Sequence, residues 1–151
     1  MSTLKTLQTG HVGLNVTDLD RSVAFYRTVF AFDTIAEGKE ENRRFAFLGR
    51  QGKALITLWE QSTGEFPVAL PGLHHLSFQV DTIDEVKAAE QVLRELDAHF
   101  AHDGVVPHGE HGTSGGIFFT DPDGIRLEIY APTGADPADA PTENAPTCGF
   151  F

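Results

Sequence analysis

The sequence contains very little cysteine and little positive charge. Cys148 is the only cysteine among 151 residues, so a framework of internal disulfides is excluded and a reducing compartment is the simplest expectation. Lysine and arginine together number 11 against 22 aspartates and glutamates, which gives a formal charge of -11 at pH 7. Such a chain repels phosphate backbones and anionic lipid surfaces. We therefore expect neither nucleic acid nor a membrane as a partner.

Long apolar runs are also missing. No stretch approaches the roughly 20 apolar residues that span a bilayer, and the first residues show no apolar core of signal-peptide length. Hydrophobic residues nevertheless make up 40% of the chain and charged residues 22%, which is the balance of a globular protein. We expect a soluble cytoplasmic protein.

What the sequence does contain is a repeat that begins with a histidine. HVGLNV from His11 aligns with HLSFQV from His75, and both alternate apolar with small or polar residues, as half-buried strands do. Each stretch is followed by apolar residues at helical spacing, and Asp20 and Asp84 are the predicted N-caps of the two helices. The pattern predicts two strand-helix units.

The repeat continues with two apolar strands and a glycine-bearing turn in each half, FAFLGRQGKALITLW from Phe45 and GIFFTDPDGIRLEIY from Gly116. One more strand is expected before each hairpin, in DTIAEG from Asp33 and in HFAHDGV from His99. The predicted fold is α+β, with two tandem βαβββ modules that form a curved mixed sheet around a central metal cleft. The predicted boundaries are an extension over 1–8, one domain over 9–131 with modules at about 9–68 and 73–131, and a mostly disordered Pro/Ala-rich tail over 132–151.

Three residues of the repeat are candidate metal ligands. Alternation along a strand directs His11 and His75 to the concave side, opposite the apolar face that a helix covers. Glu128 lies on the polar face of the strand GIRLEIY. Two imidazoles and one carboxylate suit a divalent transition metal with open positions. The position equivalent to Glu128 in the first module is Thr57, so no fourth ligand is expected there.

Further residues are candidates for proton transfer and substrate contact. His108 and His111 lie in a glycine-rich loop, and either histidine is suited to move a proton near neutral pH. The sequence does not choose between them, and a solvated loop with incidental histidines is the alternative. Tyr130 shares the face of Glu128 and is a candidate hydrogen-bond donor, although aromatic packing explains it equally well. The candidate substrate-binding residues are Asn15, Thr57, Trp59 and Arg126.

The last residues, TCGFF, end an otherwise polar stretch with two phenylalanines. One hypothesis is that Phe150 and Phe151 dock into an apolar groove, such as that of a partner subunit. A frayed end is the simpler interpretation.

The stretches HVGLNVTDLDRSVAFY, HHLSFQVD and FFTDPDGIRLEIY resemble the vicinal oxygen chelate superfamily, which includes glyoxalase I, extradiol dioxygenases, fosfomycin-modifying thiol transferases and bleomycin-resistance proteins. The resemblance covers residues 9–131. It implies that His11, His75 and Glu128 hold one divalent ion, Fe, Mn, Zn or Ni, that the substrate is a small molecule with two adjacent oxygens, and that the chain forms a homodimer.

The resemblance leaves three functions open. A metal-dependent enzyme of the dioxygenase, lyase or transferase type is favoured. The alternative is a non-catalytic protein that binds a drug or metabolite, as bleomycin-resistance proteins do. The third is an isomerase like lactoylglutathione lyase, but Thr57 stands where glyoxalase I has a further acidic or amide ligand, so this chemistry requires Glu60 or another group to replace it.

Overall fold

The computed structural model describes residues 3–151, in which each predicted helix follows a strand and precedes a hairpin. The chain folds as two units that divide between Gly64 and Glu65, a few residues before the module boundary expected from the sequence. No helix of residues 3–151 has both the length and the apolar character needed to cross a bilayer.

The first unit is a four-stranded sheet with one helix. Its strand order is β1-β4-β3-β2, with β1 parallel to β4 and the other neighbours antiparallel. Apolar residues of alternate strand positions and of one helix face form its core, including Leu14, Tyr26, Leu48 and Leu58. Its elements are β1 (Val12–Val16), α1 (Leu19–Phe30), β2 (Asp33–Gly38), β3 (Phe45–Arg50) and β4 (Lys53–Glu60).

The second unit repeats this plan. Its strand order is β5-β8-β7-β6, and β5 is parallel to β8. The buried residues include Val86 and Leu93 of the helix and Phe118 and Leu127 of the strands. Its elements are β5 (Leu76–Gln79), α2 (Ile83–Glu95), β6 (Val106–Pro107), β7 (Gly115–Thr120) and β8 (Arg126–Ala131).

The strand register repeats residue by residue. Gly13 of β1 pairs with Thr57 of β4, and the aligned residues of the second unit, Ser77 and Glu128, pair in the same way. Together with the two matching four-stranded sheets and their helices, this register confirms the predicted α+β architecture of two tandem βαβββ modules.

The N-caps of both helices differ from the prediction. The side chain of Asp18 accepts from the amide of Arg21 at 3.0 Å and caps α1. Thr82 caps α2 in a capping box, in which its Oγ1 accepts from the Glu85 amide at 3.3 Å and Glu85 Oε2 accepts from the Thr82 amide at 3.0 Å. Asp20 and Asp84 were therefore wrong as caps, because both helices begin before these aspartates and include them in the first turn.

The strand expected in HFAHDGV is also shorter and later. Only Val106–Pro107 pairs with β7 as a strand, and Phe100 forms an isolated bridge with Phe119. Gly104, with a left-handed φ of 70°, turns the backbone between these two contacts, which breaks the continuous strand.

The segment after Ala131 differs from the expected disordered tail. It contains two single-turn 3-10 helices, Pro137–Asp139 and Thr147–Gly149. The Thr147 side chain is fully buried, and its Oγ1 donates to the Pro107 carbonyl at 2.7 Å. This contact ties the segment to the second unit.

Candidate functional site

The candidate site of the second unit lies where β5 and β8 run in parallel. His75 directly precedes β5, and its Nε2 lies 3.3 Å from Oε2 of Glu128 on β8. Farther along the same two strands, the Tyr130 hydroxyl donates to Oε1 of Gln79 at 2.9 Å. Because strand side chains alternate between faces, residues 75 and 79 share the face that also carries Glu128 and Tyr130.

Glu128 lies buried between two imidazoles. Only 3% of its side chain is exposed; His75 contacts one carboxylate oxygen and His108 Nε2 hydrogen-bonds the other. His108 Nδ1 lies 2.5 Å from the Ser114 hydroxyl. A buried carboxylate is costly unless polar partners surround it, so His75, His108 and Glu128 form a mutually dependent group, which we call the imidazole-carboxylate cluster.

The surroundings of His75 favour its neutral form. Burial lowers the pKa of His75 below its usual value, and this effect outweighs the attraction of the Glu128 carboxylate, which acts in the opposite direction. His75 Nδ1 also lies 2.8 Å from His74 Nδ1. Neutral imidazole is the form that binds metal ions, so the environment of His75 is compatible with its predicted ligand role.

The cluster has the donor chemistry of a divalent metal site, but it is incomplete by itself. In the part of the chain from residue 3 onward, no three His, Cys, Asp or Glu side chains form a group arranged to hold a metal ion. His75 and Glu128 offer one nitrogen and one oxygen donor, which fit a transition metal. The predicted third ligand, His11, is exposed and precedes β1 in the first unit, and its role stays a prediction.

Three predicted substrate-binding residues lie in the first unit. Trp59 Nε1 donates to Thr57 Oγ1 at 3.0 Å, and the Trp59 ring packs 5.4 Å from that of Phe45. Asn15 Oδ1 accepts from the Gln61 amide at 3.0 Å. Asn15 and Thr57 thus have structural hydrogen-bond partners, and their substrate roles stay predictions.

Glu60 is committed to structural contacts. Its Oε2 accepts from the Leu19 amide at 2.7 Å and from Arg44 Nη1 at 3.0 Å. The first contact stabilises the N-terminus of α1, where amides lack helical acceptors. Glu60 therefore has a role other than the catalytic base that an isomerase of the glyoxalase I type would require.

The structure distinguishes the two loop histidines. His108 contacts Glu128, whereas His111 is exposed. Both line a surface cavity of about 490 Å³ between the 108–111 loop and residues 144–146. Arg126, the fourth predicted substrate-binding residue, lies with its guanidinium carbon 5.4 Å from the centre of the Phe151 ring.

The sequence does not place two residues, Ser114 and Phe151, beside the cluster. Ser114 carried no signal, since a serine in a glycine-rich loop is unremarkable until its contact with His108 is seen. For Phe151 the sequence suggests docking into an apolar groove, such as that of a partner subunit, but it carries no signal that would put the ring beside His75. Its ring lies 5.6 Å from that of His75 in the same chain.

Comparison with known proteins decides the family. Residues 8–129 match the family described as the Glyoxalase/Bleomycin resistance protein/Dioxygenase superfamily. The chain belongs to this superfamily. A solved superfamily structure from Frankia sp. EAN1pec, a glyoxylase/bleomycin resistance protein/dioxygenase domain, is 26% identical with a TM-score of 0.73, over 85% of this chain and 99% of that one.

Two other relatives connect the superfamily fold with named proteins. The catechol-2,3-dioxygenase of Bacillus subtilis (strain 168) is 29% identical over 127 residues, and the match covers 81% of this chain but only 40% of the dioxygenase. The fosfomycin resistance protein FosX of Listeria monocytogenes, solved as a point mutant in complex with Mn(II) and 1S,2S-dihydroxypropylphosphonic acid, has a TM-score of 0.64 at 22% identity. That match covers 85% of this chain and 94% of FosX. At this identity the FosX likeness shows the fold alone.

Proposed function

We propose that this chain is a divalent-metal-dependent enzyme that acts on a small molecule with two adjacent oxygens, in a reaction of the dioxygenase, lyase or transferase type. His11, His75 and Glu128 are the proposed ligands, and the metal is Fe, Mn, Zn or Ni. The observation that carries the proposal is a buried carboxylate flanked by two imidazoles, at the strand position equivalent to Thr57 in the first unit.

One relative supports this function. The likeness to the catechol-2,3-dioxygenase favours a dioxygenase-type reaction, although the chain spans about two fifths of that protein. In FosX the same fold holds Mn(II) together with a compound that carries two adjacent hydroxyls; this likeness is one of fold, and the metal and substrate class of this chain stay proposals. Bound to the proposed ligands, a divalent ion would supply a Lewis acid that polarises adjacent substrate oxygens.

His108 is the proposed proton-transfer residue, in preference to His111. In the neutral tautomer that donates from Nε2 to Glu128, its Nδ1 accepts from the Ser114 hydroxyl. Ser114 thus fixes the ring orientation, and Nε2 is the atom that would hold or release the proton. Tyr130 remains a proposed hydrogen-bond donor to substrate, which requires that its hydroxyl turn away from Gln79.

The other functions are less well supported by the site. A glyoxalase I type of isomerisation lacks its catalytic base in the first unit. Thr57 has no carboxylate and accepts a hydrogen bond from Trp59, and the Glu60 carboxylate accepts hydrogen bonds from Leu19 and Arg44. A purely sequestering protein has no need for a carboxylate buried between two imidazoles. We further propose a homodimer, which rests on the family resemblance and can be checked by sedimentation velocity. A cytoplasmic location is proposed separately, because a single cysteine suits a reducing compartment.

Metal binding is the first test. The untagged protein is purified anaerobically, its metal content is determined, and the chelator-treated protein is titrated with Fe(II) and Mn(II). We expect one ion per chain, and a loss of affinity of about 100-fold or more in His11→Ala, His75→Ala and Glu128→Gln, since losing a residue that merely orients a metal ligand already costs about 10–100-fold. His99→Ala removes an exposed imidazole of the second unit and should bind like the unchanged protein.

Activity assays then separate the reaction types. Oxygen uptake with a catechol tests the dioxygenase, consumption of fosfomycin with an added thiol such as glutathione tests the transferase, and turnover of a hemithioacetal tests the isomerase. If the protein neither contains nor takes up a metal ion, the enzyme proposal fails and a binding protein is the better interpretation. If Glu128→Gln binds the metal ion with the same affinity as the unchanged protein, Glu128 is not a ligand and the proposed ligand set is wrong.

A further inference from the structure

The last residues of the chain are held across the second unit by hydrogen bonds. Besides the bond from its hydroxyl to Pro107, Thr147 donates its amide to the His108 carbonyl at 2.8 Å. Farther along, the Phe150 carbonyl lies 2.9 Å from His102 Nε2. The chain end is thus attached on both sides of Cys148, and one attachment point is the backbone of a cluster residue.

These attachments place the Phe151 ring against the imidazole-carboxylate cluster. Its ring centre lies 5.6 Å from that of His75, 6.1 Å from that of His74 and 5.5 Å from that of the buried Phe118. The guanidinium of Arg126, the residue two before Glu128, lies 5.4 Å from the same ring. Phe151 therefore covers the side of the cluster on which His75 lies.

We propose that Thr147–Phe151 is a displaceable strap that closes the cluster, with Phe151 as its plug and Thr147 as its anchor. The strap follows β8, the last strand of the module, so its release leaves the sheet intact. Aromatic and cation-π contacts are individually weak, which allows reversible opening. A tethered ring competes with free ligands at a high effective concentration, so any ligand that reaches His75 from this side must displace Phe151.

The burial of the strap residues indicates that the strap is a plug and not an additional part of the hydrophobic core. Thr147 is fully buried, whereas Phe150 is 53% exposed and Phe151 is only partly buried. Only the anchor is thus integrated into the packed interior. The ring that touches the cluster keeps a solvent-exposed side, as expected of a segment that moves away as one piece.

Chemical modification of His75 tests the strap without any metal ion. Diethyl pyrocarbonate modifies neutral imidazoles, and at pH 8, above the usual histidine pKa of about 6.5, changes in protonation have little effect on the rate. With EDTA present, the modification rate of His75 is followed by peptide mass spectrometry and divided by that of exposed His99. The variants are Phe151→Ala, which removes the plug, and Thr147→Val, which removes the anchoring hydroxyl at similar size.

The expected result is a rise of the His75 to His99 ratio in both variants, by about 5–30-fold if the strap contributes one to two kcal/mol. Phe150→Ala is the control: it removes the neighbouring ring, which is mostly exposed, and should leave the ratio unchanged. Circular dichroism and thermal melting establish that each variant is folded. If the His75 to His99 ratio is unchanged in both Phe151→Ala and Thr147→Val, the strap proposal is wrong. It is also wrong if Phe150→Ala raises the ratio as much as Phe151→Ala does, because that result indicates general fraying of the segment.

Hydrogen exchange of the unchanged protein gives a second readout. The Thr147 amide, bonded to the His108 carbonyl, should exchange at least tenfold more slowly than an unstructured amide, a factor that corresponds to about 1.4 kcal/mol. Exchange at the unstructured rate would contradict the anchor. Neither measurement involves a metal ion, so the strap and the proposed metal-dependent function can fail independently.

Discussion

At the scale of single residues, the buried Glu128 carboxylate explains why the cluster members depend on one another. Removing either imidazole leaves a buried negative charge with half of its partners, a type of change that costs about 3–5 kcal/mol in buried ion pairs. Loss of function in a His75 or His108 variant is therefore informative only when the variant is shown to be folded. Glu128→Gln keeps the shape and removes the charge, so it is the most interpretable single change.

Cys148 of the strap offers a test of the local electrostatics. Burial raises the pKa of the Cys148 thiol, and the negative charge of Glu128 raises it further. A higher pKa leaves less thiolate at neutral pH, and the thiolate is the reactive form. We expect Cys148 to react with iodoacetamide more slowly than free cysteine at pH 7.5, with a rate profile displaced to higher pH.

The alkylation profile of Glu128→Gln provides the control. Loss of the carboxylate should move the profile of Cys148 toward lower pH but not to that of the free thiol, because burial remains the larger cause. If the alkylation profile of Cys148 in the unchanged protein lies at lower pH than that of free cysteine, the partly buried position of Cys148 near Glu128 is contradicted.

At the scale of elements, the sequence predicted strands and helices more reliably than their ends. Alternation over HVGLNV and HLSFQV determines the inward face, and a slip of one residue would expose every apolar side chain. Helix starts depend on which of several neighbouring polar residues reaches a free amide. Asp18 and Asp20, like Thr82 and Asp84, are equally plausible caps in the sequence, and only backbone geometry chooses between them.

The cap of α2 can be tested by a pair of substitutions. Thr82→Ala removes the Oγ1 that accepts from the Glu85 amide and should lower the free energy of unfolding by about 1 kcal/mol. Asp84→Ala removes only a first-turn charge that interacts with the helix dipole, at about 0.3–1 kcal/mol. Urea unfolding of both variants measures the difference, and Thr82→Ser should retain most of the stability. If Asp84→Ala lowers the free energy of unfolding more than Thr82→Ala does, Asp84 is the cap, as the sequence predicted.

At the scale of the whole molecule, the repeat made the architecture and the polar faces predictable, but not the contacts of the cluster. The sequence singled out His75, Glu128 and His108, and the repeat register explains why the first two meet. The contact of His108 with Glu128 depends on the short strand β6 and on Ser114, for which no periodic pattern exists. The sequence offers docking of Phe150 and Phe151 only as one hypothesis beside a frayed end, because composition describes averages, whereas one buried threonine and one ring determine where residues 147–151 lie.

The excess of negative charge predicts how the stability of the whole molecule depends on salt. With 22 acidic and 11 basic side chains, repulsion between like charges opposes folding, and raising NaCl from 10 to 150 mM shortens the screening length from about 30 to about 8 Å. The same salt weakens surface ion pairs such as those of Arg94 with Glu90 and Asp103, but exposed pairs contribute little.

Repulsion should therefore dominate, and the melting temperature at pH 7 should rise with NaCl by roughly 2–4 °C, the shift expected for about 1 kcal/mol in a chain of this size. Differential scanning calorimetry at both salt concentrations measures the shift. Near pH 4.9, where the sequence predicts zero net charge, the rise should largely disappear. A melting temperature that falls with salt at pH 7 would mean that the ion pairs of Arg44 and Arg94 outweigh the repulsion.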